Sequence, residues 1–155
     1  MHEPKSNKAL TKALDLLSKR SYSKQILVDK LKQKEFEIDE ISSAVKKLEE
    51  LDFIDDKKYA ESLAREYLEI RRYGAYRVKL KLKEKKVPEE IIKNVISGIN
   101  QQTEDENLEE LTEKYLKKNK NLPKEKLYNR ALGFLLRRGY SYSKCRDALK
   151  DSLKG

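Results

Sequence analysis

This sequence predicts an all-α chain of tandem three-helix-type repeats, stacked into an elongated or curved array, and three observations carry that prediction. Lys, Leu and Glu abound while Gly and Pro number only 5 and 3, a balance that favours helix over sheet. A signature of six positions returns twice: Ala13, Leu17, Arg20, Tyr22, Leu27 and Leu31 become Ala64, Leu68, Arg71, Tyr73, Val78 and Leu82, then Ala131, Leu135, Arg138, Tyr140, Cys145 and Leu149. In every copy the last two positions stand four apart, as on one face of a helix. Residues 1–155 therefore read as a single helical-repeat domain, large enough to bury a core, with repeat-related segments over 7–51, 56–100 and 104–155.

In chain order, the spacing predicts a helix over 7–19, a second over 23–34 with Ser23 as N-cap, and a third over 39–51. The turn "DFIDD" opens a helix over 56–71, with Asp55 as its cap and Asp56 placed favourably in the first turn. Residues 76–83 alternate apolar with basic, the pattern of a half-buried strand. The counterparts of Leu80 are Asp29 and Asp147, however, so Leu80 is no shared core position. The segment 74–86 is accordingly predicted to be helical, Gly74 marking the break before it. Pro88 is expected at the first position of the next helix, which runs to about Ile96. "SGINQQTEDEN" reads as a polar, low-complexity stretch ahead of a helical face carrying Leu108, Leu111, Tyr115 and Leu116. The loop "KNKNLPKEK" leads through Pro123 into a helix over 124–138. Gly139 and Ser141 then supply a turn and a cap for the last helix, which holds Cys145, Ala148 and Leu149. Eight or nine helices result, and the third copy ends soon after its second helix.

The 36 Lys and Arg against 27 Asp and Glu leave a net charge of +9, which suits a phosphate or acidic protein partner. Between Ile70 and Lys86 lie eight basic residues and the single acid Glu84. Arg77, Lys81 and Lys85 form one i, i+4 row, with Lys79, Lys83 and Lys86 on an adjacent face, directly after Arg71 and Arg72. The third copy offers Arg137 and Arg138, followed by Tyr140, Tyr142, Lys144 and Arg146. A lysine-rich helix is ordinarily a solvated face; the concentration beside paired guanidinium groups, which fit phosphate or carboxylate, favours a partner surface. The recurring Tyr22, Tyr73 and Tyr140 read as turn anchors, whereas Tyr76 and Tyr142 fall outside that position and are candidates for stacking or interface contacts. The run Glu104, Asp105, Glu106, Glu109, Glu110 and Glu113 reads first as a solvated face helped by the helix dipole, and otherwise as a patch that repels DNA and seeks a basic protein surface.

Chemistry-bearing patterns are missing: there is no GxxxxGK[ST] loop, no HExxH and no spaced Cys/His set. The only His, His2, is terminal, and Cys145 replaces Leu27 and Val78 at a repeated apolar position. One Cys forms no internal disulfide, no apolar run reaches membrane-spanning length, and "MHEPKSNKAL" has no apolar signal core. The expectation is a cytoplasmic monomer that is not an enzyme, with no metal, no cofactor and no membrane partner.

Three pieces, "LDFIDDKKYA", "RRYGAYRVKLKLKEKKV" and "LLRRGYSYSKCRDAL", resemble the RecX family of small helical-repeat modulators of the RecA recombinase in order, spacing and total length. The family's structural motif positions map to Asp55, Asp56, Tyr59 and Ala60, to Arg72, Tyr73 and Gly74 with Arg77, and to Arg137, Arg138, Gly139 and Tyr140. Ile26 departs from the Ser-x-x-Glu capping box that relatives often carry. The resemblance implies a non-enzymatic regulator in DNA repair, homologous recombination and the SOS response. Such a regulator binds in the groove of the RecA–DNA filament and restrains ATP hydrolysis, filament extension and strand exchange, the ATP belonging to RecA. Candidates for filament contact are Arg71, Arg72, Arg77, Lys79, Lys81, Lys83, Arg137, Arg138, Lys144 and Arg146. Weak direct binding to single- or double-stranded DNA is expected alongside. The rival reading is an autonomous basic helical DNA-binding protein without specific RecA recognition; a third is a purely structural adaptor.

Overall fold

A computed structural model describes residues 6–154; His2 lies outside them. Among the described residues there are nine α-helices and no strand: α1 (Ser6–Lys19), α2 (Lys24–Gln33), α3 (Ile38–Glu50), α4 (Asp56–Arg65), α5 (Ala75–Glu84), α6 (Glu89–Ser97), α7 (Gln101–Lys118), α8 (Lys124–Arg137) and α9 (Tyr142–Lys154). The chain is thus all-α and built of tandem three-helix repeats.

The alternating segment is helical. Val78 and Leu82 are fully buried on α5 while Leu80 is 62% exposed, so the strand-like pattern came from one leucine lying off the apolar stripe. Helix starts follow the side chains that supply caps. Ser23 accepts from the Ile26 amide at 3.3 Å, Asp55 from the Lys57 and Lys58 amides at 3.0 and 3.2 Å, and Ser141 from the Lys144 amide at 3.3 Å. Pro88 departs from expectation by one residue. Its carbonyl accepts from the Ile92 amide at 3.0 Å, which makes it the residue before α6, not the first within it. Asn100 caps α7 by accepting from the Gln102 and Thr103 amides at 2.9 and 3.2 Å, so most of the polar stretch before Leu108 is helix.

Helix ends repeat one device. The second residue beyond α2, α3, α5 and α8 turns left-handed, at Glu35, Asp52, Lys86 and Gly139. The next residue, Phe36, Phe53, Val87 or Tyr140, then returns its amide to the carbonyl five positions back. One of the four is glycine and one is aspartate, which tolerates this conformation; Glu35 and Lys86 leave no mark in the sequence. The helix begun at Asp56 departs from expectation as well: its last turn, Glu66–Ile70, is π-helical, with the Arg71 amide donating to the Glu66 carbonyl at 3.0 Å.

The chain divides into two compact units, Met1–Ser62 with Leu82–Ile92, and Leu63–Lys81 with Lys93–Gly155. The first has a core of Ala13, Leu27, Leu31, Ile41, Val45, Leu48 and Ile54, where α1 and α2 pack against α3. The second has Leu108, Leu116, Leu127, Ala131, Leu135, Tyr140, Cys145 and Leu149, where α7, α8 and α9 pack together. Signature positions fill both cores, and shortening a fully buried leucine such as Leu31 or Leu149 to alanine costs about 2–5 kcal/mol. In the first unit the covering helix α3 follows the signature pair α1–α2; in the second the covering helix α7 precedes the pair α8–α9. That order explains why the third copy ends after its second helix.

Candidate functional site

The second unit brings two equivalent turns face to face. One is Arg71–Arg72–Tyr73–Gly74, between the π-helical turn and α5; the other is Arg137–Arg138–Gly139–Tyr140, between α8 and α9. The Gly74 amide donates to the Arg138 carbonyl at 2.8 Å and the Tyr76 amide to the Gly139 carbonyl at 3.0 Å. A Cβ on Gly74 would lie 2.4 Å from the Gly139 carbonyl oxygen, and one on Gly139, whose φ is +99°, 2.6 Å from the Arg77 amide nitrogen. Both positions therefore require glycine, because backbone meets backbone. Arg72, at φ 56°, turns the chain left-handed just before this contact.

Gly74 has a second consequence. It occupies the position of the capping serines Ser23 and Ser141, so α5 has no side chain of its own to close its N-terminus. Glu104, from the first turn of α7, supplies the acceptor: its carboxylate takes the Ala75 amide at 2.7 Å. Asp56, from the first turn of α4, does the same for α2, accepting from the Lys24 amide at 2.8 Å. In both cases the second helix of one repeat is capped by an acid from the first helix of the next. Glu104 is only 4% exposed, so its position in the acidic run is structural, not that of a solvated charge.

Most of the basic candidates in these turns are tied into the same assembly. Lys144 donates to Glu104 at 2.9 Å, to Asp105 at 2.8 Å and to Gln101 at 2.6 Å. Burial works against its charge, but the bonds to Asp105 and Glu104 outweigh it and hold its pKa above the ordinary lysine value. Arg72 pairs with Glu110, Arg71 pairs with Glu66 at 2.9 Å, and Arg138 donates to the Arg71 carbonyl. The guanidinium groups of Arg138 and Arg77 lie 4.2 and 4.8 Å from the centre of the Tyr73 ring, and Arg77 also reaches the Arg137 carbonyl at 3.5 Å. Tyr140 is buried and donates its hydroxyl to the Arg72 carbonyl at 2.7 Å; burial, reinforced by the nearby Glu104 charge, pushes its pKa far above the usual tyrosine range.

The remaining candidates face outward or half outward. Tyr76 and Tyr142 are exposed, as are Lys83, Arg137 and Arg146, while Lys79 and Lys81 are half-buried along α5. Arg146 lies 6.0 Å from the Tyr142 ring centre and 3.9 Å from Asp147. Tyr76 and Leu80 sit four apart on α5, so the basic helix also carries an exposed apolar row. Sequence reasoning identified Tyr76 but left Leu80 without a role; its exclusion from the repeated core was the available signal. In the first unit Asp55 and Asp56 cap helices, and Tyr59 is half-buried beside fully buried Ala60.

No group of three His, Cys, Asp or Glu among the described residues is arranged to hold a metal ion, and no helix among them is long and apolar enough to cross a membrane. Cys145 is fully buried, and burial raises its thiol pKa to about 11, which suppresses the reactive thiolate.

Comparison with known proteins gives one family along the chain. Family models for the first, second and third three-helix domains of RecX match residues 9–48, 55–96 and 103–149. The regulatory protein RecX of Chlorobaculum tepidum is 31% identical over 150 residues, covering 97% of this chain and 91% of its own length. That of Clostridium perfringens is 33% identical over 145 residues, covering 92% of this chain and 68% of its own. The crystal structure of RecX from Lactobacillus salivarius superposes with a TM-score of 0.86 at 26% identity, covering 97% of each chain. A second crystal structure of a regulatory protein RecX gives a TM-score of 0.81 at 25% identity, covering 94% of this chain and 71% of the other.

Proposed function

This chain belongs to the RecX family, and we propose that it acts as a non-enzymatic regulator of RecA by lying in the groove of the RecA–DNA filament and restraining ATP hydrolysis, filament extension and strand exchange. It does so as a monomer built of repeat-related segments over 7–51, 56–100 and 104–155. The observation that carries the contact surface is α5. Tyr76 and Leu80, 60% and 62% exposed, form an apolar row on a helix that also bears Lys79, Lys81 and Lys83. Lysines alone suit any polyanion, whereas an apolar row among them favours a protein surface that carries negative charge, because apolar side chains gain nothing against DNA phosphate.

Arg71, Arg72, Arg77, Arg138 and Lys144 then serve chiefly to hold the two turns in register, and Arg137, Arg146 and Tyr142 are secondary contacts. The test is Lys79→Glu with Lys83→Glu, which leaves Val78 and Leu82 in place. Circular dichroism and thermal unfolding should stay near the parent's, while binding to RecA assembled on single-stranded DNA, and restraint of its ATP hydrolysis, should fall. Full binding and restraint by the folded variant would refute the reading. The rival, autonomous DNA binding, rests on the +9 net charge. It would prevail if rising salt released bare DNA and filament in parallel, since a partly apolar protein contact loses less to salt than a phosphate contact.

A further inference from the structure

The groove between α2 and α3, within the first unit, has no part in the proposed contact through α5. Its volume is about 360 Å³. Val28 on α2 and Ile38, Ile41 and Val45 on α3 line its base, the last three falling at the i, i+3, i+7 spacing of one helix face. Ile41 and Val45 are buried beneath it, but Ile38 is 69% exposed at its open end. An isoleucine on the first turn of a helix, continuous with an aliphatic groove, is surface that another molecule can cover.

The rim is cationic. Lys24 and Lys32 border the groove from α2 and Lys46 from α3. Glu49, the one acid lining it, is held by Lys24 at 3.2 Å, which leaves the charges of Lys32 and Lys46 without an ion-pair partner among the described residues. Asp39 and Glu40, in the first turn of α3, do not line it.

We propose that this groove docks an amphipathic acidic helix of a partner protein, apolar side chains down and carboxylates out towards Lys32 and Lys46. The aliphatic base is what selects the occupant. A nucleic-acid backbone would satisfy the lysines but set phosphates over valine and isoleucine, and an extended acidic tail would satisfy the lysines and leave the base bare. A helix with leucines at i, i+4 and i+7 and Glu between them meets both requirements. The lined part of α3 from Ile38 to Val45 spans about two turns, roughly 10 Å, so two to three turns of a partner suffice. This docking site lies on α2 and α3 and does not depend on the α5 surface, so either reading stands if the other fails.

The experiment uses the full chain with methyl-labelled Ile, Leu and Val, titrated with a blocked, helix-forming 14-residue peptide of that leucine and glutamate pattern. Saturable shifts are expected at the methyl groups of Val28, Ile38, Ile41 and Val45. Lys32→Glu with Lys46→Glu should weaken binding by about tenfold or more, and Ile38→Ser should weaken it too. These side chains are exposed, and an unchanged thermal transition in each variant separates lost docking from lost folding. Three results would overturn the proposal: no saturable shift with the peptide, equal binding of the same peptide with lysine in place of glutamate, or unchanged affinity after both charge reversals. A single-stranded oligonucleotide that displaces the peptide and moves the same methyls would overturn it as well, and would assign the groove to nucleic acid.

Discussion

Glu104→Ala is the substitution that most directly probes how the two turns are held. The carboxylate accepts from the Ala75 amide at 2.7 Å and from Lys144 at 2.9 Å. Removing it leaves the first amide of α5 without an acceptor, a lost N-cap worth about 0.5–2 kcal/mol. Lys144 keeps Asp105 at 2.8 Å and Gln101 at 2.6 Å, so the ion-pair loss is that of a partly exposed pair, about 1 kcal/mol. The sum is about 1.5–3 kcal/mol. Glu104→Gln keeps an oxygen for the Ala75 amide and loses only the charge, so it should recover about half of that range. Urea unfolding followed by circular dichroism measures both, and amide exchange at Ala75 reports the cap directly. Gly74→Ser cannot compensate, although it restores the residue type of the other repeats, because its Cβ would press on the Gly139 carbonyl oxygen at 2.4 Å. The capping account fails if Glu104→Ala unfolds within about 0.5 kcal/mol of the parent, if the Gln variant is no better than the Ala variant, or if Ala75 exchange does not quicken.

Two further predictions rest on ionisable groups. Cys145, its thiol pKa raised to about 11 by burial, should react with a thiol reagent at pH 8 only as fast as the protein opens; labelling as quick as that of a free thiol would contradict its place in the core. The Asp29 carboxyl is held below its ordinary 3.8 chiefly by a hydrogen bond from Lys86, then by Gln25. A depressed carboxyl pKa stabilises the fold above the unfolded value, and that contribution disappears as pH falls through the folded one. Carbon-13 titration should show Asp29 returning towards 3.8 in Lys86→Ala, and an unmoved midpoint would mean the pair is not formed in solution.

The repeat signature was readable because buried positions recur at unchanged spacing. Ala13, Ala64 and Ala131 are all buried, as are Leu31, Leu82 and Leu149, and the comparison between copies was enough to move Leu80 out of the core. The caps at Ser23, Asp55 and Ser141 were readable for a similar reason, since each acts within three residues of itself. What escaped reading depends on distant approach. Nothing near Glu104 says that its oxygen will meet the Ala75 amide, though Gly74 standing where two serines cap was a usable hint. The left-handed Glu35 and Lys86 carry side chains that no turn rule favours, and the π-helical turn at Glu66–Ile70 has no glycine or proline to announce it. The arginines of the two turns look identical in sequence whether they face a partner or, like Arg138 over Tyr73, fasten one turn to the other.

Caps borrowed from the following repeat also give the chain a direction in time. The Lys24 amide is closed by a residue 32 positions downstream and the Ala75 amide by one 29 positions downstream. A ribosome delivers the helix to be capped before it delivers the acid that caps it. While the chain is being made, α5 therefore begins with an open first turn until α7 has emerged, and a fragment cut after α6 contains the whole second repeat yet lacks the carboxylate that completes it. The first two repeats are each finished by their successor, so the boundaries that separate the repeats in sequence are not boundaries at which the protein can be divided without loss.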